Sequence, residues 1–222
     1  MRIKLAPSIM CSNYKNLEAV FRELEGVGVD MIHVDVMDGK YVPNLIIGPD
    51  YVKCLRRLTK LPLDLHFMCV DPEHYVRMFD PRPGDYVSFH PETTYHPHRL
   101  LVELKKRECV TGLVMGPHLP ASALEELVRD IDYVTIMTID TGVPASTFLG
   151  RALDKINKVK SMGRAEGREI YAQVDGSVRF DNAAEIVAKG ADVLILGYPG
   201  CFNDDPGITA SLNRIKDIVK DL

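Results

Sequence analysis

The chain has 222 residues, 46% of them hydrophobic and 26% charged, and a formal charge of −4 from 27 basic and 31 acidic side chains. That balance excludes a disordered chain and offers no basic field for nucleic acid or an anionic membrane, while no apolar run nears the ~20 residues of a membrane span. The five cysteines, Cys11, Cys54, Cys69, Cys109 and Cys201, are dispersed and odd in number, which suits reduced thiols in the cytoplasm better than a disulfide framework.

In chain order, short apolar runs alternate with segments of helical spacing. Ile3–Ser8 reads as a first strand, followed by a helix over Asn13–Val27 with Asn13 as its cap and Leu17, Val20, Phe21 and Leu24 on one face. The second strand is Met31–Gly39. Ile32, Val34 and Val36 alternate there with His33, Asp35 and Met37, so the two sets lie on opposite faces. Tyr41–Leu45 makes a loop, and Pro49 opens a helix to Leu58. Further strands fall at Leu63–Met68, Tyr86–His90, Val110–Met115, Tyr133–Thr138, Glu169–Asp175 and Val193–Gly197. The helices between and after them are Pro72–Phe79, Tyr95–Arg107, Ala121–Arg129, Phe148–Met162, Phe180–Lys189 and Ile208–Val219. Eight strand–helix units with no dividing linker predict one domain over residues 1–222, a closed (β/α)8 TIM barrel. A doubly wound open sheet would need a switch-point signature that is absent. The opening Met-Arg-Ile-Lys-Leu-Ala-Pro-Ser has too short an apolar run for a signal peptide.

Chemistry in such a barrel sits at the C-terminal ends of the strands. Ser8 ends the first strand, His33, Asp35 and Asp38 the second, His66 the third, His90 the fourth and Asp175 the seventh. Met37, Met68, Met115 and Met137 stand at or near four strand ends. A buried His and Asp two residues apart need each other, a metal or a wet cavity. Two histidines and two carboxylates, His33, Asp35, His66 and Asp175, make an N2O2 set for a divalent transition metal, Zn²⁺ first, with Fe²⁺, Mn²⁺ or Co²⁺ as alternatives. Such an ion polarises a carbonyl and holds enediolate charge, and two carboxylates could exchange a proton on either face of one carbon.

Ala6-Pro-Ser-Ile, His33-Val-Asp-Val-Met-Asp-Gly, Val42-Pro-Asn, Leu63-Asp-Leu-His-Phe-Met, His90-Pro-Glu, Met137-Thr and Val174-Asp-Gly occur in order over nearly the whole chain. In this the sequence resembles the ribulose-phosphate 3-epimerase family. The ending, Val174-Asp-Gly-Ser with Gly200-Cys-Phe-Asn, is similar to the allulose-6-phosphate 3-epimerase branch. The resemblance implies that His33, Asp35, His66 and Asp175 ligate the metal and that Asp35 and Asp175 double as the acid–base pair inverting C3 of a ketose phosphate. It implies that Ser8 and His66 meet substrate, that Met37, Met68 and Met137 line the site, and that relatives form dimers or hexamers.

Two loops depart from the family pattern. Where the family carries a phosphate loop rich in backbone donors, the chain reads Thr141-Gly-Val-Pro-Ala-Ser, and the turn after the eighth strand reads Gly197-Tyr-Pro-Gly. Pro144 and Pro199 each delete an N–H, leaving Gly142, Gly176, Ser177, Gly197 and Gly200 as amide donors, with Ser146 or Arg179 as replacements. Either these suffice or the far end of the substrate differs from the usual phosphate. His96 and His98 read as solvent-exposed, His118 stands near the mouth, and Leu104-Lys-Lys-Arg reads as the basic end of a helix. Alternatives to epimerisation are an aldol or decarboxylation step in the same barrel, or a sugar-phosphate-binding barrel without catalysis.

Overall fold

The computed structural model of the chain describes residues 2–143 and 146–222; Pro144, read above as deleting a loop donor, and Ala145 lie outside the described residues. The strands are β1 (Lys4–Pro7), β2 (Ile32–Asp38), β3 (Leu45–Ile46), β4 (Leu63–Met68), β5 (Tyr86–Phe89), β6 (Val110–Met115), β7 (Tyr133–Met137), β8 (Tyr171–Asp175) and β9 (Val193–Leu196). The α-helices are α1 (Leu17–Val27), α2 (Pro49–Leu58), α3 (Pro72–Phe79), α4 (Pro97–Lys106), α5 (Asp154–Ala165), α6 (Ala183–Ala188) and α7 (Ile208–Val219).

The sheet runs β1-β9-β8-β7-β6-β5-β4-β2-β3, parallel throughout except for the two-residue β3, which folds back antiparallel on the end of β2. A parallel bridge between Ser8 and His33 closes the ring at the mouth. Lower down, the Asp30 carboxylate accepts from Leu5 N–H and Asp30 N–H donates to Leu5 C=O. The result is the eight-stranded barrel expected from the sequence, with β3 as an addition.

Strand alternation decides which side chains face the helices. Ile32, Val34 and Val36 on β2, with Leu63, Leu65 and Phe67 on β4, join the large apolar core that includes Phe21 and Leu24 of α1 and Val52 and Leu55 of α2. Each such side chain fully buried contributes roughly 1.5–3 kcal/mol. The residues of opposite parity, His33 and Asp35 on β2 and Asp64 and His66 on β4, are buried away from that core. Helix α1 begins where the Asn16 side chain accepts from Ala19 N–H, and Asn13 caps only the 3-10 turn before it, Tyr14–Asn16.

One predicted helix is corrected. Residues 121–129 form two separate 3-10 turns, Ala121–Leu124 and Val128–Asp130. Ala121, Leu124 and Val128 are buried, so the apolar spacing that reads as helix is met by two shorter turns. The predicted helix from Phe148 likewise begins as a 3-10 turn, Gly150–Leu153, before α5.

Candidate metal centre and active site

At the C-terminal mouth, the register aligns His33 with Asp64 and Asp35 with His66 across β2 and β4, and Met137 with Asp175 across β7 and β8. His33, Asp35, His66 and Asp175 each offer one ligand atom, and those four atoms lie within 4.8 Å of one another. The pairs are tight. His33 Nε2 lies 3.2 Å from Asp35 Oδ1 and 3.9 Å from Asp175 Oδ2, and His66 Nδ1 lies 3.5 Å and 3.7 Å from the same two oxygens.

His66 Nδ1 is buried without a hydrogen-bond partner, a costly state unless something is coordinated there. An orphaned imidazole nitrogen facing two carboxylates fits a borderline divalent cation. The outer atoms of His33, Asp35 and His66 are held. Asp64, fully buried, faces His33 Nδ1 at 2.7 Å and receives the Tyr133 hydroxyl at 3.3 Å. Ser8 Oγ donates to Asp35 Oδ2 at 2.6 Å. The other nitrogen of His66, Nε2, faces His90 Nε2 at 3.1 Å. Such partners orient imidazoles and raise their basicity.

The electrostatics separate the two carboxylates. Burial alone would raise Asp35, but the charge and hydrogen bond of His33, with a smaller contribution from the nearby His66 ring, outweigh it and hold that carboxyl far below the usual range. For Asp175, burial dominates and pushes the carboxyl up to about 6, reinforced by the Asp35 charge and opposed by His33. Burial works against a proton on His33, yet Asp35 and Asp64 outweigh it and raise the imidazole well above its ordinary value. Both ring nitrogens of His33 face carboxylate oxygens, Nδ1 at 2.7 Å from Asp64 and Nε2 at 3.2 Å from Asp35, and an ion would take the place of any proton on Nε2. His90 is pushed down to about 4 by burial and is a neutral imidazole.

Above the four residues opens a cavity of about 300 Å³. Ser8, Met37, Met68, Met137, Gly142, Gly176, Ser177 and Gly197 all line it, together with Asp35 and Asp175. Gly142 has φ +72°, and a Cβ there would stand 2.4 Å from Val42 Cβ; Gly176 has φ +114°, and a Cβ would stand 2.6 Å from Ile139 Cγ1. Both turns therefore need glycine. Among the described residues lining the cavity there is neither Lys nor Arg.

Other sequence candidates lie elsewhere. Met115 has the parity of Leu113 and belongs to the outer core, while Met10 takes a place in the cavity wall. Arg179 is not among the cavity residues and pairs with Asp181, Ser146 Oγ is turned to Val143 C=O, and the exposed His118 lies 3.4 Å from Glu92. Asp38 is a loop anchor: Oδ1 accepts from Lys40 and Tyr41 N–H, and Oδ2 from Val70 N–H. Sequence reasoning assigned no role to Asp64, Tyr41, Glu92, Cys11, Ile139 or Tyr198. Cys11, set aside with the other cysteines, lines the cavity as a neutral thiol that burial pushes up to about 11.

A (β/α)8 barrel with a cation-ready cluster and two unlike carboxylates at its mouth has the frame of an enzyme. Residues 4–199 match the ribulose-phosphate 3 epimerase family. The chain is 37% identical over 196 residues to ribulose-phosphate 3-epimerase of Bacillus subtilis (strain 168), covering 88% of this chain and 90% of that protein. It is 38% identical over 197 residues to the chloroplastic ribulose-5-phosphate-3-epimerase of Arabidopsis thaliana, covering 88% of this chain and 70% of that one. Among solved structures, KGPDC from Streptococcus mutans is similar in fold at TM-score 0.67 and 15% identity, over 99% of this chain and 100% of the other. The chain belongs to the ribulose-phosphate 3-epimerase family, isomerases that act on carbohydrates.

Proposed function

We propose that the chain is a metal-dependent ketose-phosphate 3-epimerase, with His33, Asp35, His66 and Asp175 holding one divalent transition ion. Zn²⁺ suits the N2O2 donor set, and Fe²⁺, Mn²⁺ and Co²⁺ are the alternatives. The observation that carries the reading is the orphaned His66 Nδ1, facing two carboxylates whose environments push their pKa values apart. When bound, the ion supplies Lewis acidity toward a ketose carbonyl.

The remaining work falls to the chain. Asp35, held ionised, removes the C3 proton from one face, and Asp175, the carboxyl that retains its proton more readily, delivers one to the other face through an enediolate. The roles exchange for the reverse reaction. Ser8 keeps Asp35 turned toward the site, and Met37, Met68 and Met137 exclude water around the reacting carbon. Gly142, Gly176, Ser177 and Gly197 bring backbone to the cavity wall, where amide donors could receive a phosphate.

D-ribulose 5-phosphate to D-xylulose 5-phosphate is the reading that the named relatives favour. Pro199 in the wall of the cavity, without an N–H to give, favours a substrate whose far end differs from a phosphate, while the likeness of Val174-Asp-Gly-Ser and Gly200-Cys-Phe-Asn to the allulose-6-phosphate branch favours D-allulose 6-phosphate. Five unpaired cysteines support work in the reducing cytoplasm. Metal analysis, with solvent-deuterium exchange at C3 across pentulose and hexulose phosphates and unphosphorylated ketoses, tests the reading. Inversion with exchange at C3 is expected, with about one ion per chain. Binding without exchange would overturn the catalytic reading, and a carbon–carbon cleavage product would point to the aldol alternative.

A further inference from the structure

Behind His66 runs a line of hydrogen-bonding groups that the proposed reaction does not use. His66 Nε2 faces His90 Nε2 at 3.1 Å with the rings stacked at 27°. His90 Nδ1 lies 2.9 Å from the Tyr41 hydroxyl, which donates to Glu92 Oε1 at 2.8 Å. The direct distance from His90 Nδ1 to Glu92 is longer, 3.5 Å. The phenol is therefore inserted between imidazole and carboxylate.

The donors can be assigned from this order. Two imidazole nitrogens at 3.1 Å need one N–H and one lone pair between them. His66 presents Nδ1 to the cluster, so its proton sits on Nε2 and His90 Nε2 must accept. The His90 proton is then on Nδ1 and donates to the Tyr41 oxygen. Tyr41 in turn donates to Glu92, an ionised carboxylate that only accepts. Every link runs the same way and ends on a charge. The two middle members are anchored through their backbone: Asp38 Oδ1 accepts from Tyr41 N–H at 2.9 Å, and His90 C=O accepts from Thr93 N–H and Oγ1–H.

We propose that Tyr41 is a positioning residue, whose hydroxyl between His90 and Glu92 locks His90 in the Nδ1–H tautomer and thereby aims the His66 Nδ1 lone pair into the metal cluster. The proposal rests on the metal reading above for its consequence, and on the hydrogen-bond order alone for the tautomer. Outer partners of this kind change metal affinity about 10–100-fold when removed. A phenylalanine at position 41 would keep the ring packing against His90, centroids 4.8 Å apart, and remove only the hydroxyl.

The experiment is a set of full-length proteins: parent, Tyr41→Phe, Glu92→Ala and the double variant. Each is measured for Zn²⁺ affinity against a competing chelator and for histidine ring ¹⁵N–¹H correlations. The parent should show His90 protonated on Nδ1. Tyr41→Phe should mix the His90 tautomers and weaken Zn²⁺ binding about tenfold or more, and the double variant should be little worse than either single one, as members of one chain are not additive. Unchanged His90 signals in Tyr41→Phe, with Zn²⁺ affinity within about twofold, would overturn the role of Tyr41 while leaving the metal reading intact. A parent that binds no Zn²⁺ would overturn the metal reading, and the ring spectra alone would then decide the tautomer lock. If Tyr41→Phe does not fold, Glu92→Ala decides by the same two readouts.

Discussion

Asp64 offers the sharpest separation of charge from geometry. Its carboxylate, fully buried, receives His33 Nδ1–H at 2.7 Å and the Tyr133 hydroxyl at 3.3 Å. In Asp64→Asn the amide oxygen can still accept from His33, and the Tyr133 hydroxyl can turn to accept from the amide N–H, so the number of hydrogen bonds is conserved. What disappears is one of the two negative charges, after that of Asp35, that raise His33. A hydrogen bond to a charged group contributes about 1.5–3 kcal/mol against about 0.5–1.5 for a neutral one, so the loss is about 1–1.5 kcal/mol. That is roughly a tenfold weaker hold on the ion. Asp64→Ala instead strands the His33 N–H and the Tyr133 hydroxyl in a dry interior, at about 1–3 kcal/mol each, and its thermal unfolding should fall well below that of the Asn variant. Chelator-competition titrations of Zn²⁺, paired with melting curves, measure both. An Asn variant that binds Zn²⁺ as tightly as the parent would refute the argument that the Asp64 charge sets the His33 ligand.

Asp175→Asn and Asp35→Asn should each keep a folded barrel and lose at least about 10²–10⁴-fold in turnover, the worth of one general acid or base; epimerisation within tenfold of the parent in either variant would sink the two-carboxylate mechanism. Gly142→Ala forces a side chain onto a backbone at φ +72° and into Val42, so KM should rise through a displaced loop more than kcat falls, by about 1–3 kcal/mol of strain; unchanged steady-state kinetics would contradict that placement. For pH, the raised folded value of His33 contributes stability in full below about 6.5 and loses it as pH climbs toward that value. The raised Asp175 has the same sign at lower pH, but His90, depressed to about 4, runs opposite and offsets it below about 6.5. Chelator-treated protein should therefore melt at lower temperature as pH rises from about 6.5 to about 8, and added Zn²⁺ should reverse the trend; a rising melting temperature over that interval without Zn²⁺ would contradict it.

The barrel was legible because parallel strands buried on both faces leave apolar runs that recur with helices between them. The alternation His33, Asp35, Met37 was enough to place three side chains inside, since a period of two admits no other face. Periodicity deceived at 121–129, where Ala121, Leu124 and Val128 satisfy helical spacing and two 3-10 turns equally. Met115 misled for the opposite reason: it ends a strand, but parity with Leu113 turns it to the helices. Asp64 stood inside a recognised stretch and still carried no signal, because its partner is His33 across a register that only strand pairing reveals. Tyr41 and Glu92 are further removed. They meet through two loops, after β2 and β5, and nothing local to either residue announces the other.

The contrast between the two carboxylates follows from how the barrel closes. Asp35 stands beside the seam, where the Ser8–His33 bridge joins β1 to β2 and brings the Ser8 hydroxyl within 2.6 Å of its Oδ2. That donor, and above all the His33 imidazole delivered by β2, stabilise the anion. Asp175 arrives on β8 with longer approaches to the His33 and His66 imidazoles, 3.9 and 3.7 Å, while its backbone C=O accepts from Thr138. The carboxylate itself receives less compensation for burial, so a proton reaching the site settles on Asp175. On the proposed mechanism, for the epimer whose C3–H faces Asp35, Asp35 ends the turnover with the proton it removed and Asp175 without the one it delivered. Asp175 is also the more exposed of the two, 16% against 5% for the side chain. Both carboxyls return to their starting state between turnovers, Asp35 by losing the proton it took and Asp175 by regaining one, and of the two the fold leaves Asp175 the more open to solvent.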